Sequence, residues 1–142
     1  MTVNCPQCDT KNRVDSAATG APVCGKCKEA LPWLTDAGEA DFKGVVEDSP
    51  LPVLVDFWAP WCGPCRMVSP AVEQIGRDLR GRLKVVKVNT DDNQILSERF
   101  DVRGIPTLVM LKGGKQVDRV SGAMPAPQLR QWVFAAMLAG AR

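Results

Sequence analysis

The chain has 142 residues, with 18 Lys plus Arg against 16 Asp plus Glu, six cysteines and no histidine. A formal charge of +2 gives no broad field for a polyanion, so nucleic acid is not expected as a partner. The missing histidine excludes Ser-His and Cys-His nucleophilic catalysis and every mixed Cys-His zinc site.

The first ten residues have neither a basic start nor an apolar stretch, and the expected location is the cytoplasm. No membrane association is expected: the most apolar run, residues 132–139, is far shorter than the roughly 20 residues that cross a bilayer. Six cysteines in a reducing compartment point to metal binding or redox chemistry rather than structural disulfides.

In chain order, residues 1–30 come first, poor in large apolar side chains and too few to fold on hydrophobic burial alone. They carry Cys5-Pro6-Gln7-Cys8 and Cys24-Gly25-Lys26-Cys27, separated by 15 residues, the two-knuckle spacing of a four-cysteine zinc site. Cys5, Cys8, Cys24 and Cys27 are therefore the expected ligands of one zinc ion; a pair of disulfides or four free thiols is the competing reading. Four basic and three acidic side chains, with four thiolates and one zinc, leave this segment at −1, which argues against a phosphate-binding ribbon.

A composition change near Ala30 divides the chain into a zinc ribbon, residues 1–30, and a larger domain, residues 31–142. The larger part reads as a strand (31–35), a helix (39–47), a strongly apolar strand (53–58), a helix (62–79), a strand (83–88) and a short helix (94–100). Strands 107–111 and 116–120 then flank Gly113-Gly114 as a hairpin, and a helix starting near Pro127 closes the chain. This order predicts an α/β fold, a central mixed sheet flanked by helices.

Cys62-Gly63-Pro64-Cys65 follows the apolar strand through a short turn, which puts Cys62 at a helix start, where unpaired N–H groups and the helix dipole favour a thiolate. Cys62 is the expected nucleophile. Cys65, one turn on, is the expected resolving thiol, lying deeper and closing a small-ring disulfide. Asp56 interrupts an otherwise apolar strand. It is either a buried carboxylate, raised in pKa and able to exchange a proton with Cys65, or a strand-end carboxylate that reaches solvent; spacing leaves both readings open.

The segment from Val55 to Cys65, Val-Asp-Phe-Trp-Ala-Pro-Trp-Cys-Gly-Pro-Cys, resembles the active-site segment of the thioredoxins. The resemblance continues through Pro70, Lys87, Ile105-Pro106-Thr107, Gly113 and Ser121-Gly122-Ala123. It implies a thioredoxin-like fold and a thiol-disulfide oxidoreductase that reduces disulfide-containing substrate proteins and is recharged by thioredoxin reductase with NADPH. It also implies a cis Pro106 facing the dithiol, a lysine at position 87 that tunes Asp56, and a flat contact surface made by Trp61, Gly63, Pro64, Ile105, Gly122 and Ala123. With the N-terminal ribbon, the chain resembles the zinc-binding thioredoxin 2 subtype, expected as a monomer without an organic cofactor. An oxidase or isomerase is disfavoured because no histidine separates the cysteines; a metal sensor or holdase using the larger domain as scaffold is the alternative from another class.

Overall fold

The computed structural model describes residues 1–139, so the last three residues of the expected second domain lie outside the described residues. Five strands form the main sheet in the order β3-β5-β4-β6-β7: β3 (Trp33–Asp36), β4 (Val53–Trp58), β5 (Lys84–Asn89), β6 (Thr107–Lys112) and β7 (Lys115–Ser121). β3, β5 and β4 run parallel, and β6 and β7 complete the sheet antiparallel, so the mixed sheet is as the sequence predicts.

β4 is central because its residues are apolar on both faces and have buried neighbours on both sides. On one face, Leu54, Val85, Leu108 and Met110 pack under α1 (Gly63–Asp78) and α3 (Ala126–Leu138) through Val68, Val72, Leu129 and Val133. On the other, Val53, Val55, Phe57, Val86 and Val88 meet Phe42, Val45 and Val46 and the short α2 (Gln94–Arg99). The β6–β7 turn uses Gly113 and Gly114 at φ 56° and 78°, the left-handed pair of a type I′ two-residue hairpin.

Two expectations shift. The helix expected over 39–47 is a single wide turn, Lys43–Glu47, closed by Asp48 N–H donating to Lys43 O at 2.9 Å. Gly44 weakens regular helix there, and a turn suffices to bury Phe42, Val45 and Val46. The first strand of the main sheet begins at Trp33 rather than residue 31, because Leu31 N–H donates to Pro22 O in the N-terminal segment and Pro32 has no N–H to give.

That segment is a hairpin of β1 (Thr2–Asn4) and β2 (Lys11–Arg13) with the two cysteine turns beside it. It packs against the rest of the chain through one cluster containing Cys5, Val14, Cys24, Leu31 and Trp33. Lys84 on β5 is fully buried at the junction. Its Nζ donates to Ser16 O and Val45 O, each at 2.5 Å, and lies 3.9 Å from the Trp33 ring centroid. Burial pushes its ammonium down to about 8, with Asp15 opposing.

Candidate active site and metal centre

At the end of β4 the chain turns through Ala59, Pro60 and Trp61, and Cys62 N–H donates to Ala59 O at 3.1 Å. Cys62 is the N-cap of α1, in extended backbone at φ −86° and ψ 109°, with proline in the first helical turn. Its sulfur accepts the Cys65 N–H at 3.1 Å, the bond that caps the helix. The same N–H is placed to stabilise a Cys62 thiolate in the reduced protein. Cys62 and Cys65 are joined as a disulfide, Cα to Cα 5.3 Å.

Depth does not distinguish the two cysteines: they are 3% and 5% exposed, both packed against Ala59, Trp58 and Ile105. The expectation of a deeper Cys65 gives way to a difference in what each one faces. Cys65, and not Cys62, lines a cavity of about 110 Å³ with Asp56, Trp58, Pro60, Ser69 and Lys87.

Asp56 is the buried alternative of its two readings, 2% exposed, and its Oδ1 has no hydrogen-bond partner among the described residues. Burial raises its carboxyl from 3.8 to about 6, Lys87 opposing and Glu73 reinforcing. Lys87 is its register partner on β5, so both side chains stand on the α1 side of the sheet. The Lys87 ammonium nevertheless bonds elsewhere, to Ser69 Oγ at 2.6 Å and Glu73 Oε1 at 3.1 Å. Sequence reasoning singled out neither Ser69 nor Glu73. Their spacing from Cys65, four and eight residues along α1, is the signal that could have found them.

The Ile105–Pro106 bond is cis, and Ile105 O lies 3.8 Å from Cys62 Sγ. Gly122, at φ 92°, donates its N–H to Pro106 O at 2.8 Å and brings the 122–123 turn beside the loop. Trp61 is 69% exposed, its Nε1 donating to both carboxylate oxygens of Asp91 at 3.1 and 3.0 Å. Gly63 and Pro64 are exposed at the helix start, and a side chain at 63 would meet nothing within 4 Å. Gly63 thus leaves the rim of Cys62 bare and serves no packing need.

The N-terminal cysteines also converge. Cys5, Cys8, Cys24 and Cys27 place their sulfurs within 4.8 Å of one another, with Cys5 to Cys27 at 3.5 Å and Cys8 to Cys24 at 3.6 Å. Four ligands at about 2.3 Å from one tetrahedral ion would have sulfurs about 3.8 Å apart, so the donor set fits. The two turns are built alike. Cys5 O accepts from Asp9 N–H at 2.8 Å and Cys24 O from Lys28 N–H at 3.0 Å, with Asp9 and Lys28 both left-handed at φ 61° and 67°. Gln7 N–H and Lys26 N–H donate to the first sulfur of each turn at 3.4 Å, and Asn12 Nδ2 adds a bond to Cys24 Sγ at 3.5 Å. Such donors favour anionic sulfur, the form a metal takes.

The model of the thioredoxin family matches residues 34–135, from β3 into α3. The chain belongs to the thioredoxin family. It is 55% identical over 93 residues to thioredoxin 1 of Nostoc sp., covering 66% of this chain and 87% of that one. To a thioredoxin of Synechocystis sp. it is 54% identical over 100 residues, 70% and 91% of the two chains. Thioredoxin C-3 of Corynebacterium nephridii is 39% identical over 136 residues, 94% of this chain and 93% of its own, so that similarity runs well outside the family match. As a thioredoxin, this chain is a thiol-disulfide oxidoreductase of the protein-disulfide reductase type, with Cys62 and Cys65 as the redox pair. Among the described residues, no helix is long and apolar enough to cross a membrane.

Proposed function

We propose that this thioredoxin is a cytoplasmic, broad-specificity reductant of protein disulfides, belonging to the zinc-binding thioredoxin 2 subtype and recharged by thioredoxin reductase at the expense of NADPH. The observation that supports it most is the Cys65 N–H aimed at Cys62 Sγ from the start of α1, which favours a thiolate at the rim of the exposed Trp61 surface. In the reduced protein, the Cys62 thiolate attacks one sulfur of a substrate disulfide; a mixed disulfide forms and the other substrate sulfur leaves as thiolate. Cys65 then gives its proton to Asp56, and its thiolate attacks Cys62 Sγ. The bond from Cys62 to the substrate breaks and the second substrate sulfur departs with the electron pair. Two electrons have passed to the substrate, and Cys62 and Cys65 are left as the disulfide.

The loop of Ile105 and cis Pro106, with Trp61, Gly63, Pro64, Gly122 and Ala123, is the surface on which an extended substrate would lie. No histidine stands between the cysteines to stabilise the reduced form, so the potential is expected at the reducing end of the family, about −270 mV. Zinc would be held by Cys5, Cys8, Cys24 and Cys27, where it would supply a fixed crosslink to a segment with little apolar core of its own.

The test is insulin reduction with thioredoxin reductase and NADPH, run with metal counted per chain for the wild type, Cys62→Ser and Cys5→Ser. Cys62→Ser should lose turnover and keep one zinc; Cys5→Ser should lose zinc and keep most turnover. Full turnover in Cys62→Ser would overturn the reading, and loss of turnover in Cys5→Ser through loss of metal alone would favour a metal-governed sensor.

A further inference from the structure

Cys65, Ser69 and Glu73 stand four residues apart along α1 and form one line on the face turned to the sheet. Beneath them are Asp56 and Lys87, paired in register on β4 and β5. Lys87 Nζ donates to Ser69 Oγ and Glu73 Oε1, and Ser69 Oγ donates to the same Glu73 oxygen at 3.5 Å. Asp56 Oδ1, across the cavity, has no partner among the described residues. The Lys87–Glu73 pair is partly solvated, at 24% and 42% side-chain exposure, so it adds little stability; what it does is fix where the ammonium points.

We propose that Glu73, helped by Ser69, is a positioning residue for the dithiol: it holds the Lys87 ammonium off Asp56, so that Asp56 stays an unpaired proton acceptor facing Cys65. The inference rests on Asp56 being the base of the proposed reaction. In the resolving step the S–H bond of Cys65 breaks and its proton goes to Asp56. The Cys65 electron pair forms the bond to Cys62 Sγ, and the leaving substrate sulfur takes the pair of the broken bond. An ammonium bonded directly to Asp56 would occupy its lone pairs and make it a weaker base.

The charged and titratable groups around Asp56 are few. β5 contributes Lys87, α1 contributes Cys65, Arg66 and Glu73, and β6 places only Leu108 opposite it; on the far side of Lys87, β3 sets Asp36 in register with it. Their effects agree with the geometry: burial raises the Asp56 carboxyl most, Lys87 pulls it down and Glu73 lifts it. Removing Glu73 takes away the lift and releases Lys87 toward Asp56, two changes of the same sign.

The test is a carbon-13 carboxyl NMR titration of Asp56 in the reduced full chain, in the wild type, Glu73→Gln, Ser69→Ala, Lys87→Met and the Glu73→Gln/Lys87→Met double variant. Glu73→Gln should lower the Asp56 midpoint by about one pH unit, and Ser69→Ala should lower it by less. In the Lys87→Met background the effect of Glu73→Gln should fall below half. A midpoint unmoved by Glu73→Gln, or moved equally with and without Lys87, would overturn the proposal. A separate arm follows the resolving step by stopped flow in Asp56→Asn. An acid limb that survives there refutes Asp56 as base, whereas the titration alone decides whether Glu73 positions Lys87.

Discussion

Replacing Asp56 by Asn should stabilise the protein, and by an amount that depends on pH. The carboxyl is raised from 3.8 to about 6, chiefly by burial. Between those values the folded state holds a proton that the unfolded chain has released. Its contribution to stability is therefore complete below pH 3.8, declines as pH rises through the window, and is lost above about 6. At pH 7 the ionised, buried side chain leaves the wild type about 3 kcal/mol short of what the protonated form would give. The amide of the variant has no proton to lose. Urea unfolding of the oxidised proteins should show Asp56→Asn gaining on the wild type as pH increases, up to a plateau of about 3 kcal/mol. The other carboxylates titrate in both proteins and drop out of the difference. A difference that stays flat from about pH 4 to pH 7 would refute the argument, because it would mean that Asp56 ionises as freely in the fold as in water.

Gly76→Ala should lower stability by about 1 to 3 kcal/mol, since its Cβ would run into Leu34 Cδ2 and meet Val85 Cγ2 at 3.0 Å in the buried helix-sheet contact; thermal unfolding reads the loss, and insulin reduction at 25 °C should stay near wild type. Lys84→Met leaves Ser16 O and Val45 O without their shared donor and should cost about 1 to 3 kcal/mol. Hydrogen exchange should quicken across residues 14–18 and 43–48 together, and an effect confined to one of these segments would contradict a junction tied by Lys84.

What could be read from the sequence follows how local the information is. Strand β4 and the start of α1 are written in neighbouring residues: five apolar side chains around Asp56, then a turn, a cap and a proline. The hairpin of β6 and β7 is equally local, because Gly113-Gly114 lets both turn residues take the positive φ that a tight two-residue connection uses. The helix expected over 39–47 came out shorter and wider, because Gly44 and a short apolar set cannot decide its length and winding without knowing what they pack on. Asp56 was undecidable for the same reason; α1 must be in place before the carboxylate is covered. The Ser69–Glu73–Lys87 network joins residues 14 to 18 positions apart and exists only after the sheet has set their register.

Strand β5 carries Lys84 and Lys87 three positions apart, an odd spacing that sends them to opposite faces of the sheet. One reaches the N-terminal ribbon and the other reaches the active-site helix. For protein engineering, this means that the ribbon is not a freely portable tag. Grafted onto another thioredoxin domain, it needs a long cationic donor at the register of residue 84, or Ser16 O and Val45 O will face each other with nothing between them. A single-residue insertion between the two lysines would turn one of them to the wrong face, disturbing either the ribbon or the surroundings of Asp56, the proposed proton acceptor.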